Sequence, residues 1–159
     1  MARALVLAVL LAVFAGPARA GEITGSAHAI DGDTLMIGET RVRLFGIDAP
    51  ELAQTCISKK GQVKQCGALA RLALDTLVLR TQVTCESKGV GPDGTTLATC
   101  YAGPFDIAEQ MLADGWALAV LEEVPAYVRA EHFAKARSEG IWRGNFILPA
   151  QWRRQNAVE

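Results

Sequence analysis

Residues 41–50 restrict the fold more than any other stretch. From Arg41 to Ile47 basic and apolar side chains alternate, with Arg41 and Arg43 on one face and Val42 and Leu44 on the other. Period-two alternation belongs to a strand with one face buried and the other in water. Asp48-Ala49-Pro50 stops it, because proline has no N–H to continue a ladder. Such a strand needs neighbours that cover Val42 and Leu44. Ile23 to Ile30 reads as a first strand and Asp31-Gly32 as a turn. Thr34 to Ile37 reads as a second strand, and Gly38-Glu39 turns the chain into the third.

Downstream, Leu52 to Gln65 is a polar loop carrying Lys59, Lys60 and Lys64. Gly67 to Leu79 is helical, with Leu69, Leu72, Ala73 and Thr76 on one stripe and Leu77 beside it. Thr81 to Glu86 and Thr96 to Tyr101 read as paired strands around the loop Ser87 to Thr95. Asp106, with Glu109 three residues on, forms a capping box that opens a second helix, and Gly115 ends it as the C′ residue. Ala126 to Glu139 reads as the last helix, closed by Gly140, after which Ile141 and Trp142 return to the body. Three strands, a helix, two strands and two helices predict an α+β fold: a five-stranded OB-type Greek-key barrel with three packed helices. A mixed open sheet is the competing arrangement.

Residues 1–20 predict a signal peptide rather than part of the domain. Arg3 is a basic n-region, Leu5 to Ala15 an apolar core, and Ala18-Arg19-Ala20 a small-x-small cleavage site before Gly21. The apolar run is too short to span a bilayer, which takes ~20 residues. The single domain is then 21–159, expected in the periplasm or outside the cell. Cleavage removes Arg3 and Arg19 and no acid, moving the net charge from −1 to −3. Proteins that grip nucleic acid over a broad surface are basic, so any phosphate binding here has to be local. Export with an even number of cysteines (Cys56, Cys66, Cys85 and Cys100) predicts disulfides, in one of three pairings. A zinc site is the alternative, but no C-x-x-C pair exists and His28 and His132 lie far from the cysteines in sequence.

Two segments carry a resemblance. Ala29-Ile30-Asp31-Gly32-Asp33-Thr34-Leu35 and Arg43-Leu44-Phe45-Gly46-Ile47-Asp48-Ala49-Pro50-Glu51 resemble the two acidic motifs of the thermonuclease, or staphylococcal-nuclease-like, family. Weaker matches are Leu97-Ala98, Gly115-Trp116-Ala117 and Gly140-Ile141-Trp142. The resemblance implies a helix-covered five-stranded barrel and Ca2+-assisted hydrolysis of phosphodiester bonds in DNA or RNA. It implies metal binding by Asp33 and Asp48, with the backbone carbonyl of Ala49 where the family has threonine. Calcium is a hard cation that takes oxygen ligands. Glu51 matches the general base that activates water, and Arg43 the first phosphate-binding arginine, whose planar fork can hold two oxygens.

Each residue has a plainer alternative. Asp31-Gly32 suits a hairpin turn, Asp33 and Asp48 suit turn caps, Glu51 suits a solvated loop, and Arg43 suits a snorkelling surface position. The sequence also departs from the family. Thr95 stands at the position of the second arginine, and Val120 and Leu121 stand where aromatic residues often face the nucleotide. Lys59, Lys60 and Lys64 could attract a polyanion or simply keep an exposed loop soluble; Lys59, Lys60 and Lys88 are the candidate substrate-binding lysines, Lys88 as the nearest basic residue in sequence to the arginine position at Thr95. Trp116 and Trp142 are expected in the core, and Arg153-Arg154 reads as a short basic tail without a role.

The expected bridges are Cys56–Cys66, closing the lysine loop onto the first helix, and Cys85–Cys100, joining strands four and five. Two functions stay open. One is an exported calcium-dependent nuclease, slowed by the missing arginine, acting on single-stranded or denatured nucleic acid as a monomer with no stable protein partner. The other is a catalytically degenerate OB-fold binding or scaffold module.

Overall fold

A computed structural model describes residues 21–120 and 124–157. The expected signal peptide and Leu121 lie outside the described residues. Strands β1 (Glu22–Ala29), β2 (Thr34–Ile37) and β3 (Thr40–Leu44) form an antiparallel meander. After helix α1 (Cys66–Val78), the long strands β4 (Gln82–Val90) and β5 (Thr96–Ala102) form a hairpin, with β4 also paired to β1. The sheet closes on itself because β3 runs parallel to β5, with Arg43 opposite Leu97 and Leu44 opposite Ala98. The result is the five-stranded barrel expected from the strand order, and the open sheet is excluded.

Inside the barrel Leu35, Val42, Leu44, Val83 and Ala98 are buried, each the inward residue of its strand. The alternation of β3 is the one read from the sequence: Val42 and Leu44 are inside, while Arg41 and Arg43 face out. Cys85 and Cys100 lie opposite each other on β4 and β5 with Cα atoms 4.0 Å apart, and are joined. Cys56 and Cys66 are also joined, tying the lysine segment to the first residue of α1. That segment is less loop-like than expected. Cys56–Ser58 pairs with Val63–Lys64 and with Gly144–Asn145, making a small second sheet against Ile141 and Trp142.

Three helix details differ from the sequence reading. The face of α1 that meets the barrel is Ala70, Leu74 and Val78, while Leu69 and Leu72 are exposed. Small Ala70 faces inward because α1 lies close to the barrel there: a Cβ at Gly32 would stand 2.8 Å from the Ala70 Cβ. Helix α2 (Ile107–Ala113) opens on Asp106, whose side chain accepts from the N–H groups of Ala108 and Glu109, and ends at Gly115 as expected. Helix α3 (Pro125–Arg137), in contrast, ends at Ser138, which itself takes the left-handed conformation before Gly140. A fourth helix, α4 (Pro149–Asn156), occupies the residues read as a basic tail. Its proline start was a usable signal, since proline suits the first helical position.

Candidate active site

The β1–β2 turn supplies Asp33. Asp31 Oδ1 accepts from the Asp33 N–H, a short side-chain turn that fixes the backbone. The Asp33 carboxylate is buried and lies against the peptide following Asp48: the Ala49 N–H donates to Oδ2 at 3.1 Å, and Thr34 Oγ1 donates to Oδ1 at 3.0 Å. Burial, with the neighbouring Asp31 carboxylate, pushes the Asp33 pKa up to about 7, against the pull of the Ala49 N–H, Arg43 and Thr34. Burial is the leading cause, because removal from water disfavours the charged form.

Asp48 and Glu51 flank Ala49-Pro50 on a turn leaving the barrel. The start of the turn is pinned by Ile47–Asp48 pairing with Leu118–Ala119. Its end is pinned by Gln54, a residue the sequence reading passed over. Gln54 is fully buried; its Oε1 accepts from the Glu51 N–H at 3.1 Å and its Nε2 donates to the Ile147 carbonyl at 2.6 Å. Gly67 at the start of α1 packs directly on this turn, and a Cβ there would fall 1.7 Å from the Glu51 carbonyl oxygen. Gly67→Ala is therefore expected to destabilise the protein by about 3 kcal/mol, visible as a melting temperature several degrees lower, and to impair function by displacing Glu51. An unchanged melting temperature would show that the contact relaxes freely.

Arg43, on the outer face of β3, brings Nε to 3.5 Å from Asp33 Oδ1 without the alignment of a hydrogen bond, so its buried Nε has no hydrogen-bond partner. Thr95 bonds within its own loop. Its N–H and Oγ1 both donate to Asp93, at 3.1 and 3.0 Å. These bonds first, and the field of Arg43 last, hold the Asp93 carboxylate below its usual range. The β4–β5 loop thus presents a negative charge near Arg43 where the family resemblance implies a positive one.

The lysines lie elsewhere. Lys59 donates to Ser138 Oγ, Lys88 pairs with Glu86, and Lys60 is exposed; none pairs with Asp33, Asp48 or Glu51. Val120 is exposed beside the site strand, its N–H donating to Gly46. Trp116 and Trp142 are half-buried against the core, the latter edge-on to Phe146.

The residue that does reach the carboxylates is Arg153 of α4. Its Nη1 donates to Asp48 Oδ1 and to Glu51 Oε1, both at 2.7 Å, and its Nη2 donates to Asp48 Oδ2 at 3.2 Å. The hydrogen bonds to Asp48 and Glu51 raise its pKa further and keep it charged. Three carboxylates and two arginines therefore gather at one end of the barrel. Among the described residues no three acidic, histidine or cysteine side chains converge into a ready-made metal cage.

Comparison with known proteins agrees with this fold, and the family match includes the segment of the second acidic motif. The family model described as staphylococcal nuclease homologue matches residues 41–144. Asp33 and Arg153 lie outside that span. The chain is 34% identical over 143 residues to a succinoglycan biosynthesis protein, ExoI, of Rhizobium meliloti (strain 1021), covering 88% of this chain and 74% of that one. It is 33% identical over 136 residues to an uncharacterized endonuclease of Haemophilus influenzae, covering 80% and 71%. A probable staphylococcal-like nuclease, CAN3, of Oryza sativa subsp. japonica is 31% identical over 125 residues, 77% of this chain and 30% of the rice protein. A barrel with both acidic turns at one end, matched by this family model over most of its length, places the chain in the staphylococcal nuclease homologue family.

Proposed function

We propose that this chain is a calcium-dependent nuclease that works outside the cytoplasm, hydrolysing phosphodiester bonds of single-stranded or denatured nucleic acid as a monomer. One observation carries the reading: Glu51 and Asp48 sit on a turn clamped by buried Gln54, and the carboxylate of Asp33 packs against the same turn. The relatives named as nucleases support the reaction class. The export motif and the two disulfides support an oxidising compartment.

The donor set suits a hard cation. Asp33 and Asp48 offer only oxygen, the Ala49 carbonyl follows Asp48 directly in the chain, and Asp33 is a buried carboxylate held against the Ala49 peptide. These three residues would hold calcium, with water completing the shell. When bound, the ion supplies charge stabilisation at the phosphoryl oxygen. Glu51 takes a proton from the attacking water, and Gln54 holds the Glu51 backbone so that the carboxylate stays aimed. Arg43 binds the phosphate oxygens as negative charge develops.

The binding-module alternative draws on Thr95 and Asp93, which leave the β4–β5 loop without a cation. The deciding measurement is release of acid-soluble nucleotides from heat-denatured DNA in calcium and in chelator. Hydrolysis in calcium that stops in chelator is expected. Calcium binding with no hydrolysis would transfer the case to the binding module.

A further inference from the structure

We infer that Arg153 is the second phosphate-binding arginine of this site, delivered from the C-terminal helix in place of the residue absent at Thr95. The inference rests on the nuclease reading for its substrate class. Its own support is the contact of one guanidinium with both Asp48 and Glu51.

Position comes first. A phosphate attacked by water under Glu51, and charge-stabilised next to Asp48, has to lie beside both carboxylates. Arg153 already touches both. The side chain is also held within reach. Helix α4 begins at buried Pro149, and the Ile147 carbonyl just before it accepts from Gln54, the same side chain that accepts from the Glu51 N–H. One buried glutamine therefore ties α4 to the turn that carries Glu51. Arg153 can change rotamer, but α4 stays with the site.

Donor capacity comes next. A guanidinium has five N–H donors, and three hydrogen bonds to Asp48 and Glu51 are formed. Two donors remain, on a side chain 43% exposed. Arg153 holds the oxygens of Asp48 that a cation there would need; with those oxygens given over, its Nη groups would be left for a phosphate, and a planar fork is the geometry that binds two phosphate oxygens. The remaining cation, Arg43, stands on β3 beside Asp33, so the two arginines approach from different elements. On the β4–β5 side Asp93 is held ionised and Lys88 is paired with Glu86.

The test uses Arg153→Ala and Arg153→Lys in the full mature chain, with three readouts. Calcium affinity is measured by titration calorimetry. Affinity for a fluorescein-labelled oligothymidylate in calcium is measured with each variant placed on Glu51→Gln, so that the probe survives. Hydrolysis of denatured DNA is measured on the parent chain. Arg153→Ala is expected to bind calcium about 3- to 10-fold more tightly, because a competing cation is gone. It should bind the oligonucleotide at least about tenfold more weakly and hydrolyse about 10²–10³-fold more slowly. Arg153→Lys should recover much of the oligonucleotide affinity and little of the rate, since an ammonium lacks the fork. Tighter calcium with faster hydrolysis would make Arg153 a plug and overturn the assignment. A lower melting temperature with both affinities unchanged would make it a strut and overturn it equally. If the parent chain does not hydrolyse DNA but Arg153→Ala still loses oligonucleotide, the nuclease reading fails and the phosphate contact stands. If Arg153→Ala does not fold, the lysine variant and Arg153→Gln give the same three readouts.

Discussion

Asp33→Asn is expected to make the calcium-free protein more stable above pH 7 while removing its response to calcium. The Asp33 carboxyl has a folded pKa of about 7 against an ordinary value of 3.8. The folded state therefore binds the proton more tightly than the unfolded chain. Stability from this group is fully present below about pH 4 and is lost as the pH rises through about 7. At pH 8 the ionised, buried carboxylate costs on the order of 4 kcal/mol. Asparagine removes the charge at nearly the same shape. Its carbonyl can still accept from the Ala49 N–H, and its amide can donate to Thr34 Oγ1 in place of the bond now running the other way.

The function should move oppositely. Hydrolysis by Asp33→Asn should fall by roughly 10³-fold or more, the scale on which charge stabilisation of a phosphoryl transition state acts. Melting curves at pH 5 and pH 8, with and without calcium, check both halves. In the parent chain the calcium shift should grow between pH 5 and pH 8, because proton and cation compete for the same carboxylate. A parent calcium shift equal at both pH values, or a calcium shift retained by Asp33→Asn, would remove Asp33 from the metal set.

Glu51→Gln is expected to lower hydrolysis by about 10²–10⁴-fold, the contribution of a positioned general base, while calcium still raises the melting temperature. The substitution keeps the side chain's length and leaves the backbone bond to Gln54 intact. Its amide carbonyl can still accept from Arg153, and both Arg153 bonds to Asp48 remain. A binding defect and a chemical defect are therefore separable. Loss of rate with an unchanged calcium titration identifies Glu51 with proton transfer. Loss of both would place Glu51 among the cation's ligands.

The parts of this molecule that could be read from the chain are those governed by neighbours in sequence. Alternation in β3 placed Val42 and Leu44 inside because a strand's side chains change face at every residue. Asp106 and Gly115 bracket α2 through bonds made within a few residues of each. Asp33, Asp48, Ala49 and Glu51 were visible as candidates because two short motifs carry them, and the β1–β2 turn and the turn after β3 hold those motifs locally. The stripe that spacing gives for α1 is buried only in part: Ala73 and Leu77 pack against the core. Close approach to the barrel selects Ala70, Leu74 and Val78 and leaves Leu69 and Leu72 in water.

Arg153 lies on the other side of that division. It is 102 residues from Glu51 and 105 from Asp48 along the chain, and no spacing rule reaches that far. In sequence it is one of two adjacent arginines near the C-terminus, indistinguishable in type from Arg154. Burial of Gln54 with its amide on the Ile147 carbonyl sets where α4 begins, and the helical turn then sets which arginine meets the carboxylates. The bonds of Thr95 to Asp93, in contrast, span two residues and are local to the loop; what the barrel decides is that Asp93 comes near Arg43, because β5 closes beside β3. Chain-local chemistry specified the strands, the caps and the acidic turns. The charge balance of the site arose only when barrel closure and α4 docking brought distant charges to within hydrogen-bond reach, where Coulomb attraction rises steeply as separation and solvent fall.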